Sequence, residues 1–186
     1  MSPVDPEPLD RLVAMLAGAR PACGAVTVVA LDGPSGSGKT TLAGALAART
    51  GAPVLHMDDI YPGWDGLAAA VGLVTTAVLD PLARGEHAAY RRWKWDEERW
   101  GATVPVPTAA TLILEGAGSS VLPAGHRVAV SVWVDAARDV RLARGIARDG
   151  ESYRPHWERW AAQEDALFAA DGTRARADLV IETSAM

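Results

Sequence analysis

Lysine and asparagine are scarce in this 186-residue sequence. Its 18 basic residues include only two lysines, Lys39 and Lys94, and asparagine does not occur at all. Without asparagine there is no Asn-Lys-x-Asp element for reading guanine, which excludes a GTPase switch of that kind. Cysteine occurs once, at Cys23, which excludes a disulfide framework and fits a reducing cytosol. No apolar run approaches the roughly 20 residues that a membrane span needs. The opening "MSPVDPEPLD" lacks the basic region and apolar core of a signal peptide. A net charge of −5 leaves no basic stripe for duplex nucleic acid. Internal repeats and low-complexity tracts are also missing. These absences predict a cytoplasmic chain with neither a membrane nor a nucleic-acid partner.

What is present is an alternation of apolar runs and helical patterns. Strands are expected at 25–32, 53–59, 110–116, 127–135 and 177–182, and helices at 9–20, 66–84, about 136–148 and about 157–170. The order implies βα units around a mainly parallel sheet, an α/β fold in a single domain over 1–186. Residues 85–108, with aromatics and charges interleaved, are the least regular part.

One of the two lysines lies in "GPSGSGKT", Gly33 to Thr40, directly after the first strand and before the first alanine-rich helix. The pattern is G-x-x-x-x-G-K-[ST] in the context that gives it meaning. Without Cβ atoms, Gly33, Gly36 and Gly38 let successive N–H groups turn into one concavity, with Pro34, Ser35 and Ser37 between them. The helix N-terminus at Lys39, Thr40 and Thr41 adds unpaired N–H groups and a positive dipole end. Lys39 then reaches the β and γ phosphates of a nucleotide, and the Thr40 hydroxyl binds magnesium. ATP and Mg2+ are the expected ligands. Glu115, at the end of a neighbouring strand, is the candidate second magnesium-linked group. Asp58, in "HMDDIY", is the candidate to accept a proton from an acceptor hydroxyl. Arg141, Arg144 and Arg148 recur on one helix face, with Arg154 beyond. They predict a lid over about 145–160 that closes on the phosphates.

Taken together, "GPSGSGKTTLA", "HMDDIYP", "LILEG", "DVRLARGIARD" and "ARADLVIE" resemble the uridine kinase-like branch of the P-loop kinases in order and spacing. The resemblance covers about residues 30–182. It implies a nucleoside-monophosphate-kinase-like P-loop NTPase fold, with a five-stranded, mainly parallel sheet flanked by helices, and a lid. It also implies transfer of the ATP γ-phosphate to a hydroxyl of a nucleoside or related small metabolite. By position, Asp58 is then the catalytic acid, Tyr61 the substrate-side aromatic, Glu115 the magnesium-linked carboxylate, and Arg144 and Arg148 lid arginines. Residues 60–108 form the acceptor side. The family's Tyr-Asp-Phe element falls on Trp93-Lys94-Trp95, which makes Trp93 and Trp95 substrate candidates and places a lysine where the acid stood. The lid's paired arginine becomes Arg144-Gly145. A nucleotide-binding module without turnover is the alternative, against which stand intact Lys39, Thr40, Asp58 and Glu115.

Overall fold

The five apolar runs become five parallel strands. The structure, a computed structural model, describes residues 6–185. Strands β1 (Thr27–Asp32), β2 (Val54–His56), β5 (Thr111–Glu115), β6 (Val130–Asp135) and β7 (Leu179–Glu182) form one sheet in the order β2-β5-β1-β6-β7. All four neighbouring pairs are parallel. With β1 in the centre, the chain runs first to β2 and β5 on one side and then crosses from β5 to β6 and β7 on the other. The crevice at the carboxyl end of β1 is therefore the switch point where such sheets bind ligands.

The three central strands β1, β5 and β6 are buried on both faces, and their alternation divides the core. Val28, Leu112 and Leu114 face one side. There they meet α3 (Leu67–Val74) and α6 (Arg154–Asp171) through Leu67, Val71, Val74 and Trp160. Val29, Leu31 and Ile113 face the other. That side is covered by α1 (Pro6–Gly18) and α2 (Lys39–Thr50) through Leu9, Leu12, Leu42 and Leu46. Each fully buried leucine contributes on the order of 2 kcal/mol.

The expected helix at 66–84 is one helical run in three parts: α3, a π turn at Thr75–Leu79, and α4 (Asp80–Ala83). Pro81 supplies the reason. Its ring and missing N–H disrupt the bonding to the preceding turn, and the chain widens there. The second strand is shorter than expected. After His56 the chain turns through a 3-10 segment, Met57–Asp59, so Asp58 sits on a turn beyond the strand end. α5 (Arg138–Asp149) leads through a short 3-10 turn, Glu151–Tyr153, into α6, and α7 (Thr173–Arg176) precedes β7.

The irregular stretch is a hairpin. Strands β3 (Ala89–Lys94) and β4 (Arg99–Pro105) pair antiparallel outside the main sheet. A bulge between Arg91 and Trp93 breaks the alternation that would have marked β3 as a strand. The 95–98 connection has no Asn-Gly or Asp-Gly signal; instead Glu98 takes a positive φ of 45°.

Candidate functional site

The loop after β1 is held tightly from outside. A Cβ on Gly33 (φ 132°) would lie 2.1 Å from the Val134 carbonyl oxygen. One on Gly36 (φ 80°) would lie 2.3 Å from that of Arg141. Only glycine permits both the backbone angle and this closeness to β6 and α5. The buried Asp32 carboxylate accepts four hydrogen bonds, from Gly33 N, Gly118 N, Ser120 N and Ser120 Oγ, at 2.7–2.8 Å. It thereby ties the start of the loop to the segment after β5. Thr183, just beyond β7, donates its hydroxyl to Ser37 O at 2.7 Å.

This loop floors a cleft of about 860 Å³. Ser35, Gly36, Gly38, Lys39, Thr40 and Thr41 line it, while Gly33, Pro34 and Ser37 are buried and shape the loop from behind. Lys39 is buried, and its Nζ donates to Pro34 O at 2.8 Å. Its charge therefore lies across the concavity of backbone N–H groups.

Thr40 and Glu115 come together as the sequence implied. The Thr40 hydroxyl donates to both Glu115 carboxylate oxygens, at 3.3 and 3.4 Å. A hydroxyl and a carboxylate are hard oxygen donors, and Mg2+ held beside phosphates takes only one or two protein ligands of that kind. The pair fits the ion. His56, which the sequence reading passed over, forms a 2.5 Å hydrogen bond through Nδ1 to Glu115 Oε1. That bond raises the His56 pKa and fixes the carboxylate's orientation.

Asp58 lines the same cleft and keeps access to solvent. Its carboxyl lies within the cleft, whose walls reduce its hydration. Desolvation, and then the charge of Glu115, raise its pKa above the ordinary aspartate value. Asp59 turns to the hairpin, accepting from Tyr90 Oη at 3.0 Å and pairing with Arg92 at 2.9 Å.

The arginines separate. Arg141 is buried behind the loop, with Nε donating to Ala136 O at 3.1 Å. Arg144 reaches the cleft from α5, where Nη1 and Nη2 donate to Thr183 Oγ1 and O at 2.9 and 2.8 Å. It thus braces the loop's flank from a packed helix. Arg148 lines the cleft, bonded to Asp149 and close enough for the Asp58 charge to raise its pKa. Arg154 pairs with Glu151 at the surface. Within 145–160, Tyr153 and Trp157 are buried, and Tyr153 Oη lies 2.9 Å from Ser35 Oγ. The middle of that segment is packed on the phosphate loop.

The aromatic wall differs from expectation in one member. Tyr61 lines the cleft, but its hydroxyl donates to Ala117 O at 2.8 Å and its ring packs edge-on to Trp160. Trp95 lines the cleft and donates Nε1 to Asp58 O at 2.8 Å. Trp93 does not reach it: the ring packs on Trp100 across the hairpin, centroids 5.2 Å apart. The bulge before Trp93 sets that direction. Lys94 points away as well, paired with Glu97 at 2.6 Å. In place of Trp93 the wall has Trp64, stacked on His156 at 4.3 Å and 3°, and Trp160. Glu164 was also missed. It completes the i, i+3, i+4, i+7 stripe Trp157, Trp160, Ala161, Glu164 on the buried face of α6, where a charged residue is itself a signal.

No family model matches the chain, and no curated protein matches it. Solved structures do. A possible uridine kinase from Bacillus stearothermophilus superposes with a TM-score of 0.70 at 20% identity, over 95% of this chain and 98% of the other. A putative fructose transport system kinase from Silicibacter sp. TM1040 gives 0.57 at 22% identity, over 92% and 96%. The class this defines is the P-loop kinase fold, a five-stranded parallel sheet flanked by helices. Within that class the chain has the uridine-kinase-like form of the fold.

Proposed function

We propose that the protein is an ATP-dependent small-molecule kinase that transfers the γ-phosphate to a hydroxyl of a nucleoside or related metabolite. One observation carries the reading: the phosphate loop, the Thr40–Glu115 pair and the Asp58 carboxylate open into a single cleft. The loop's N–H groups and Lys39 bind the polyphosphate and leave its terminal phosphorus facing Asp58. Thr40 and Glu115 hold Mg2+, which neutralises charge on the transferred group when bound. Asp58 takes the hydroxyl proton as the acceptor oxygen bonds to phosphorus and the bond to the ADP oxygen breaks. Arg148, across from Asp58, offsets charge on the equatorial oxygens. Residues 60–108 supply the acceptor side, with Trp64, Trp95 and Tyr61 as its apolar wall. Within the segment about 145–160, the exposed stretch 147–151 is the part that closes over the cleft.

The test begins with nucleotide alone. Mg·ATP raises the melting temperature of the wild type, because a ligand selective for the native state stabilises it. Lys39→Ala loses most of that shift; an undiminished shift places the nucleotide elsewhere. ATP consumption against nucleosides, sugars and vitamins then identifies the acceptor. Binding without turnover on any of them favours a nucleotide-binding module.

A further inference from the structure

A carboxylate lies where the phosphate loop should welcome only anions from outside. Glu164 of α6 is 1% exposed and borders the cleft. Its Oε1 accepts the Ser35 backbone N–H at 2.7 Å and Trp160 Nε1 at 2.8 Å. One of the loop's own N–H groups is thus directed at a protein carboxylate. Oε2 is buried with no hydrogen-bond partner among the described residues, and so is Arg141 Nη1, 3.9 Å away. That separation is too long for a hydrogen bond.

We propose that Glu164 is a positioning residue of the phosphate loop: as a carboxylate it holds the loop through Ser35, and it takes up a proton on Oε2 when a nucleotide polyphosphate enters. The inference rests on the nucleotide-binding reading above. The physical reason is charge. A buried carboxylate beside arriving oxyanions is repelled, and neutralisation from solvent through the cleft is its way to remain. Oε1 keeps accepting Ser35 N–H in either state, so the loop holds its shape while the charge is removed.

The surroundings set the balance. Lys39 faces Glu164 from the loop, Arg141 from α5, Tyr153 from the turn before α6, and Tyr61 from the segment after β2. Burial pushes the Glu164 carboxyl up to about 7, although Lys39, the two hydrogen bonds and Arg141 pull it down. The group therefore has a proton in reach at neutral pH. Tyr153 adds a second hold on the same loop residue, its hydroxyl 2.9 Å from Ser35 Oγ.

The experiment is calorimetric titration of the protein with Mg·ADP, which needs no acceptor, in buffers of different ionisation enthalpy. Glu164→Gln keeps an oxygen for Ser35 N–H and is neutral at every pH. If the nucleotide raises the Glu164 pKa by one unit, the wild type takes up about half a proton more than E164Q at pH 7.5. Its affinity weakens by up to about tenfold more than that of E164Q from pH 6 to 8.5. Protons taken up by His56 or by the nucleotide itself are common to both proteins and cancel. Trp160→Phe is the second variant. Losing a donor to Oε1 raises the carboxyl further, so the midpoint of the wild-type pH dependence moves to higher pH, which a purely structural role would not do. Equal proton uptake in wild type and E164Q overturns the proposal. So does an unmoved midpoint in W160F, which decides the matter if E164Q fails to fold. No Mg·ADP binding by the wild type overturns the nucleotide reading along with it.

Discussion

The two ends of the cleft are built from different material. At the phosphate end the working groups are backbone: a glycine loop wedged against β6 and α5, with Asp32, Thr183 and Glu164 fixing its N–H and C=O groups from outside. At the acceptor end they are side chains on separate elements. Trp64 comes from the segment before α3, Trp95 from the hairpin turn, and His156 and Trp160 from α6. Backbone geometry demands glycine at fixed spacing, and it tolerates few sequences. An aromatic wall can be assembled from many. The comparison says that nucleotide binding should respond to the loop and little to the wall, while acceptor use should respond to the wall and little to the loop.

The strongest test of that division is Asp58→Asn, at the boundary between the ends. The change preserves shape and removes the charge that accepts the proton in the proposed mechanism. Turnover falls by about 10²- to 10⁴-fold, the worth of a positioned general base. Mg·ADP affinity stays as it was. Asp59→Asn acts by loosening Tyr90 and Arg92 on the hairpin, and its loss in turnover stays below about tenfold. Steady-state kinetics with the identified acceptor measures both. Equal losses at the two positions would leave the base unassigned.

Next in size is a stability effect confined to the phosphate end. The Glu164 pKa is about 7 in the folded protein, against an ordinary glutamate value of 4.5. A raised folded-state pKa means stability fully present below 4.5 and lost progressively as pH rises to about 7. The loss is on the order of 3 kcal/mol. Urea unfolding of the ligand-free protein should therefore show wild type falling relative to E164Q across that window and running parallel above it. Parallel curves throughout would mean that Glu164 titrates alike in the folded and unfolded chain.

The same division explains what the sequence made legible. Gly33, Gly36 and Lys39 have roles that residue type and spacing dictate, and the apolar runs of β1, β5 and β6 admit no other placement in an α/β fold. Glu115 and Asp58 followed from strand ends. His56 required knowing that β2 lies beside β5, which pairs it with Glu115. The hairpin was obscured by its bulge and by charges on both faces. Trp93 looked like part of the acceptor wall because it is two residues from Trp95, but the ladder stops at Lys94 and the two rings diverge. Arg141, Arg144 and Arg148 share a helix face, yet the packing of α5 on the loop gives them three different depths.

The smallest expected effect separates those two tryptophans. Trp95 donates Nε1 to the backbone oxygen of Asp58, so it links the aromatic wall to the proposed base. Trp95→Phe keeps an aromatic surface and loses that bond, worth about 1 kcal/mol. The acceptor's kcat/KM should fall by about fivefold, with Mg·ADP affinity unchanged. Trp93→Phe should leave both unchanged, since the ring contacts Trp100 and its buried Nε1 has no hydrogen-bond partner among the described residues to lose. Its cost is a weakened aromatic pair on the hairpin, about 0.5–1.5 kcal/mol of stability at most. A fall in acceptor kcat/KM for Trp93→Phe equal to that for Trp95→Phe would put Trp93 back in the acceptor site. It would also mean that the hairpin folds over the cleft when the acceptor binds.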